Sequence, residues 1–218
     1  MKKLLIATMG LLTGAFVNAQ TTEPSPKPSA AQYISVGPTA GIGGNWVGNM
    51  GGESHFAPTG NIGVSVIYAK QEHWGLGGQA LFAAWGYDKE YNGERAASVP
   101  VYLRLPMRGY YFFGKYTDKI RPKLFLGPEL GVKLGEWDYV DNGPGDLSIN
   151  QRTGSFRTFD VGFSTGGGVN IELRKSVWLN LDLSYYQGLT DVVKDPAGRH
   201  NVNHNLGASA GILFGINH

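Results

Sequence analysis

The sequence contains no cysteine. Disulfide stapling is therefore excluded, and so is a lipid anchor on an acylated cysteine. Beyond its N-terminus the chain also lacks any run of 18 consecutive apolar residues, so a later membrane crossing by a helix is excluded and only strands remain for that task. Net charge is missing too. Without Lys2 and Lys3, which belong to an N-terminal export segment, the 19 basic residues fall to 17, against 17 acidic ones. Such a chain offers no basic surface for nucleic acid, and no nucleic-acid partner is expected.

What is present begins with that export segment. Lys2 and Lys3 precede an apolar stretch from Leu4 to Val17, and Val17-Asn18-Ala19 supplies a small-residue cleavage pattern ahead of Gln20. The apolar stretch is short for a spanning helix, which needs about 20 residues. Residues 1–19 are therefore expected to be a signal peptide. Residues 20–32, QTTEPSPKPSAAQ, have no apolar periodicity and are expected to form an extended Pro-rich periplasmic tether. Residues 33–218 then make one domain.

Within that domain the dominant signal is alternation. From Phe159 to Leu173, odd positions such as Val161, Phe163, Val169 and Ile171 are apolar, while Asp160, Ser164, Asn170, Glu172 and several glycines fill the even ones. After Arg174-Lys175-Ser176 the pattern resumes, with Val177, Leu179, Leu181, Leu183 and Tyr185 against Trp178, Asn180, Asp182, Ser184 and Tyr186. A period of 2 over more than ten residues describes a long strand with a different medium on each face. Strands of soluble proteins usually run about 5 to 6 residues, whereas about 9 to 11 are needed to cross an outer membrane at a tilt. Charges on the second face would be costly in a sandwich core. They suit the lumen of a membrane barrel, with the apolar face against lipid.

Eight such segments can be counted. Beyond this hairpin, they are marked by Ile34 to Trp46, Ile62 to Tyr68, Trp74 to Ala84, Val101 to Met107, Leu124 to Leu134 and Leu206 to Ile216. The predicted fold is an all-β, eight-stranded antiparallel transmembrane up-and-down β-barrel. Short connections at 70–72 and 174–176 alternate with long polar ones at 48–58, 88–96, 138–155 and 192–204, as periplasmic turns alternate with outer loops. The turn at 113–120 is longer than this rule prefers and is a candidate periplasmic contact. Pro38, Pro100, Pro106 and Pro128 fall within or beside strands and predict bulges or local loss of pairing.

Two groups of residues follow from the face assignments. A lumen charge network is expected from Arg104, Arg108, Lys123, Glu129, Lys133, Asp160, Glu172 and Asp182, with Arg104, Glu129 and Asp160 at its centre. An eight-stranded barrel is just wide enough for side chains to fill, so these charges should pair and plug it. Aromatic girdles are expected from Trp46, Trp85 and Trp137 at the outer strand ends, and from Tyr68, Trp74, Tyr110, Tyr111 and Trp178 at the periplasmic ends. His200 and His204, with Asp191, Asp195, Ser54 and His55, carry no spacing that defines a nucleophile or a metal site. No catalytic, cofactor-binding or metal-binding residue is assigned, and no enzyme is expected.

The order and spacing of VGPTAGI (36–42), VPVYLRLPM (99–107), LFLGPELGVKL (124–134), FDVGFSTGGGV (159–169) and SYYQGLTDV (184–192) resemble the PorT-like family of small outer-membrane β-barrels, within the outer membrane protein beta-barrel domain family. The resemblance spans roughly residues 33–214 and implies residence in a Gram-negative cell envelope, with outer-membrane lipid and envelope or secretion-complex proteins as partners. It also implies a link to type IX secretion. A structural or adaptor barrel is the leading expectation. A narrow pore for small solutes is the alternative, and a soluble lipid-binding barrel is disfavoured by the polar interior.

Overall fold

A computed structural model describes residues 34–48, 54–69, 71–91, 94–141, 147–151, 156–194 and 200–216. The expected signal peptide and Pro-rich tether lie outside the described residues. The elements are β1 (Ile34–Val47), β2 (Ser54–His55), β3 (Ala57–Tyr68), β4 (Trp74–Trp85), β5 (Tyr87–Tyr91), β6 (Glu94–Phe112), β7 (Ile120–Asp141), β8 (Leu147–Gln151), β9 (Phe159–Arg174), β10 (Val177–Gly188) and β11 (Asn203–Ile216).

Eight of these close into a ring. β1, β3, β4, β6, β7, β9, β10 and β11 pair in that order, every pair antiparallel, and β11 returns to β1 from Ile34↔Ile216 to Val47↔Asn203. Closure leaves no open edge in the ring, which a sheet in lipid requires because no water is there to satisfy unpaired backbone groups. Each ring strand follows its predecessor in sequence, so the architecture is an up-and-down barrel. Both ends of the ring's chain, Ile34 and Ile216, lie at one rim, here the terminal rim; the opposite one is the loop rim.

Alternation governs the two faces. Ile42, Ile62, Leu76, Phe82, Met107, Leu124, Leu126, Leu183, Leu206 and Phe214 all project from the outer wall and are exposed. Large apolar side chains exposed on strand after strand around the ring are not what soluble monomers carry. They form the surface a hydrocarbon layer covers. Inward positions hold Thr39, Asn45, Ser65, Gln79, Arg104, Glu129, Asp160, Asn180 and Asp182, all buried.

Three features go beyond the alternating pattern. β6 and β7, of 19 and 22 residues, extend past the loop rim. There β5 and β2 add beyond β6, and β8 adds beyond β7, giving a ribbon ordered β2-β5-β6-β7-β8. Much of the sequence expected as loop at 88–96 and 138–155 is thus strand, built by two hairpins whose arms are too polar for a two-sided apolar pattern to reveal. Pairing of β1 to β11 skips Gly37 and Pro38, and pairing of β4 to β6 skips Leu105 and Pro106. The missing proline N–H accounts for such local gaps. Finally, the ladder between β6 and β7 shifts at Val101/Tyr102, where Val101 faces Gly135 but Tyr102 faces Lys133. Leu134 is the extra residue of a β-bulge, and it reverses the inward parity of β7 from that point on.

Candidate functional site: a plugged lumen

The lumen is filled in layers from one rim to the other. Next to the terminal rim, Ile67, Tyr110, Phe112, Phe125 and Leu213 form a buried apolar plug, with Ala69 and Trp178 packed against it. The glycines of β9 make this crowding feasible. A Cβ on Gly166 would sit 2.5 Å from Cζ of Phe125, and one on Gly162 would sit 2.6 Å from the Tyr186 hydroxyl. These positions give up side chains so that residues from other strands can cross the narrow interior.

Above the plug, Lys123 forms an ion pair with Asp182 at 2.9 Å and donates to Asn180, and Asn180 in turn donates to the second oxygen of Asp182 at 2.9 Å. Arg104 is the central hub. Its Nε meets Glu129 Oε1 at 2.5 Å and its Nη1 meets Asp160 Oδ2 at 2.8 Å. The guanidinium lies 3.5 Å from the Trp85 ring centroid and 4.3 Å from that of Tyr186. Asp160 also accepts from the Tyr186 hydroxyl at 2.7 Å and from Asn203 Nδ2 at 2.9 Å. Each of these groups is buried, so each is costly unless its partners are retained.

A second ionic layer lies nearer the loop rim. Lys133 Nζ meets Glu136 Oε2 at 2.9 Å and donates to the Phe156 carbonyl at 2.8 Å. Val47, Phe156, Val192 and Val193 then form an apolar cap. At the terminal rim, Arg121 donates to the Glu72 carbonyl and lies over the rings of Phe112 and Tyr116, at 4.8 and 5.1 Å. The 113–119 turn is well organised there. Gly114 adopts a φ of 80°, Lys115 N–H donates to Asp118 at 2.7 Å, and the Tyr116 hydroxyl donates to the Ala69 carbonyl at 3.1 Å.

Most of the anticipated charged residues meet inside the barrel, but not all. Arg108 is buried and lies 4.4 Å from the Phe125 ring centroid, without a carboxylate partner among the described residues. Glu172 is half-buried at the terminal rim and likewise makes no ion pair among the described residues. Glu136, Trp85, Tyr102, Tyr186, Asn180 and Asn203 belong to the network and were absent from the expected set. Glu136 was hidden by the Leu134 bulge, since strict alternation would turn it outward.

The aromatic assignments need three corrections. Trp85 and Tyr110 are buried in the lumen, and Trp178 packs against the apolar plug rather than in a girdle. Their strand parity is inward, and at that parity a ring fills a barrel instead of meeting lipid. Trp46, by contrast, stacks on His204 with ring centroids 5.3 Å apart, and Trp137 is exposed on the same loop-rim side. Tyr68 and Trp74 are exposed near the terminal rim, where Trp74 meets Tyr111 edge-to-face at 5.0 Å.

The loop histidines separate. His200 meets Asp191 at 2.9 Å, while His204 meets the Tyr185 hydroxyl at 3.0 Å. Asp195 lies outside the described residues, as do the side chains of Ser54 and His55. Among the described residues, no cluster of three acidic, histidine or cysteine side chains could hold a metal ion.

A closed barrel of eight antiparallel strands, apolar outside and ion-paired within, defines the class of small outer-membrane barrels. The chain belongs to the outer membrane protein beta-barrel domain family, whose model matches residues 18–194. None of the curated proteins matches it. Among solved structures it is similar to the outer membrane protein OprG from Pseudomonas aeruginosa, with 13% identity and a TM-score of 0.55 over 86% of this chain and 97% of that one. Neisserial surface protein A, NspA, is similar at 16% identity and a TM-score of 0.49, over 85% and 99% of the two chains. At 13% identity the likeness to OprG bears on the fold alone.

Proposed function

We propose that this outer-membrane barrel is a structural or adaptor component of the cell envelope, exported by the 1–19 signal peptide and acting through what it presents at its rims. The observation that carries this reading is the lumen. Two ionic layers and two apolar layers occupy it in succession, which leaves the 113–119 turn and the β2-β5-β6-β7-β8 ribbon as the surfaces available to other molecules. Short turns of such barrels face the periplasm and longer connections the exterior. On that rule the ribbon projects outward, and the 113–119 turn meets periplasmic partners beside the 20–32 tether. No enzymatic role is part of this proposal.

The resemblance to PorT-like barrels supplies a specific form of the reading, a role beside the type IX secretion machinery. Crosslinking in intact cells, followed by affinity isolation from the outer membrane, tests it. Reproducible recovery of envelope or secretion proteins, lost when the 113–119 turn is replaced by a short glycine-rich one, is the expected result. Recovery of the barrel alone would refute the adaptor reading and favour the narrow-pore alternative, for which the polar character of the lumen is the supporting observation.

A further inference from the structure

Between the Arg104 hub and the apolar plug, the lumen contains a cavity of about 40 Å³. Its wall includes Arg104, Arg108, Ser164, Ser184 and Asn205, and also Glu129, whose charge is taken up by Arg104. A water needs ~10–15 Å³ measured in this way, so the space suits a few waters or one small ion. Two guanidinium donors on or beside it have no acceptor among the described residues: Nη2 of Arg104 and Nε of Arg108. The Ser164 hydroxyl is also without a hydrogen-bond partner.

Arg108 is the decisive group. Among the described residues, Glu129, Asp160, Asp182 and Glu136 each have a cationic partner within 2.9 Å, respectively Arg104, Arg104, Lys123 and Lys133. No carboxylate of the described residues comes within the 4.0 Å limit of an ion pair with Arg108. The side chain is a guanidinium only 6% exposed and has the Phe125 ring as a near neighbour. An isolated buried charge costs several kcal/mol unless something compensates it.

We propose that the cavity is a binding site for one small monovalent anion of halide type, held between Arg108 Nε and Arg104 Nη2 with hydroxyl donors from the surrounding strands. Charge selects the ligand. The Arg104 hub already carries two carboxylates for one guanidinium, and Glu129 is part of the wall, which disfavours a divalent anion such as sulfate. The Ser164 hydroxyl, without a hydrogen-bond partner among the described residues, can add a neutral donor.

The test uses the purified full-length barrel in detergent, with bromide as the probe. Anomalous diffraction at the bromine edge should give a peak between Arg108 and Arg104. In parallel, the urea midpoint in wild type should rise with sodium bromide relative to sodium gluconate at equal ionic strength, as ligand linkage requires. Arg108→Gln should abolish both the peak and the bromide dependence. If that variant does not fold, the wild-type map still decides. Bromide peaks confined to the outer surface, or a lumen peak without anomalous signal, would mean that water alone fills the cavity and would overturn the proposal.

Discussion

Replacing Arg104 with methionine removes the single cation that Glu129 and Asp160 share while keeping much of the side-chain volume. Both carboxylates are buried, and no other lysine or arginine is paired with either among the described residues. Deleting one partner of a buried ion pair costs about 3–5 kcal/mol, and the lost contact with Trp85 adds ~0.5–2 kcal/mol. The two terms share the same group and do not add fully, so an overall loss of about 4 kcal/mol is expected, nearly a thousandfold in the folding equilibrium. Unfolding in urea, followed by tryptophan fluorescence in lipid vesicles, measures it; Trp85 beside the hub acts as a local reporter. The triple variant Arg104→Met, Glu129→Gln, Asp160→Asn removes the charges together and should recover most of the loss, because neutral amides retain part of the hydrogen bonding without an unpaired charge. A single-variant loss under about 1 kcal/mol, or a triple variant no more stable than the single one, would refute the hub as the main ionic support of the lumen.

Other substitutions probe the remaining layers. Gly166→Ala should destabilise by about 1–3 kcal/mol, because an added Cβ would clash with the Leu183 carbonyl oxygen as well as meeting the Phe125 ring at 2.5 Å, and Phe125→Leu in the same chain should return only the part due to the ring in urea titrations. Lys123→Met leaves Asp182 buried with Asn180 as its one donor among the described residues and should cost about 3 kcal/mol, read in the same assay. Ile62→Arg, at a position 64% exposed, should cost about 2–4 kcal/mol in lipid, whereas in water an exposed site of this kind would change stability by no more than ~0.5 kcal/mol.

Period-2 alternation made the barrel legible because each strand separates two media so different that nearly every position is committed to one of them. Ile62, Leu126 and Leu183 sit on lipid, and Asp160, Asn180 and Asp182 in the lumen, at the parity their sequence implies. What escaped this logic did so for physical reasons. Aromatic rings suit both the membrane interface and a tight interior, so Trp85, Tyr110 and Trp178 could be placed only by strict parity, not by residue type. Glu136 depends on one extra residue, Leu134, whose insertion no alternation pattern announces. The ribbon beyond the loop rim is seen in its backbone pairing, as between Tyr87 and Ser98, and backbone pairing leaves little imprint on hydropathy. Nor does a one-dimensional pattern reveal that, among the described residues, Arg104 takes two carboxylates while Arg108 takes none, since that depends on how β6, β7 and β9 are staggered around the ring.

The central claim is that the lumen is closed by its own side chains, and ion conductance across a planar bilayer tests it most directly. The purified wild-type barrel should show no discrete unitary steps, with the ionic and apolar layers leaving no continuous aqueous path. Reproducible unitary conductance in wild type, altered by Arg104→Ala, would contradict that claim and make the protein a narrow pore.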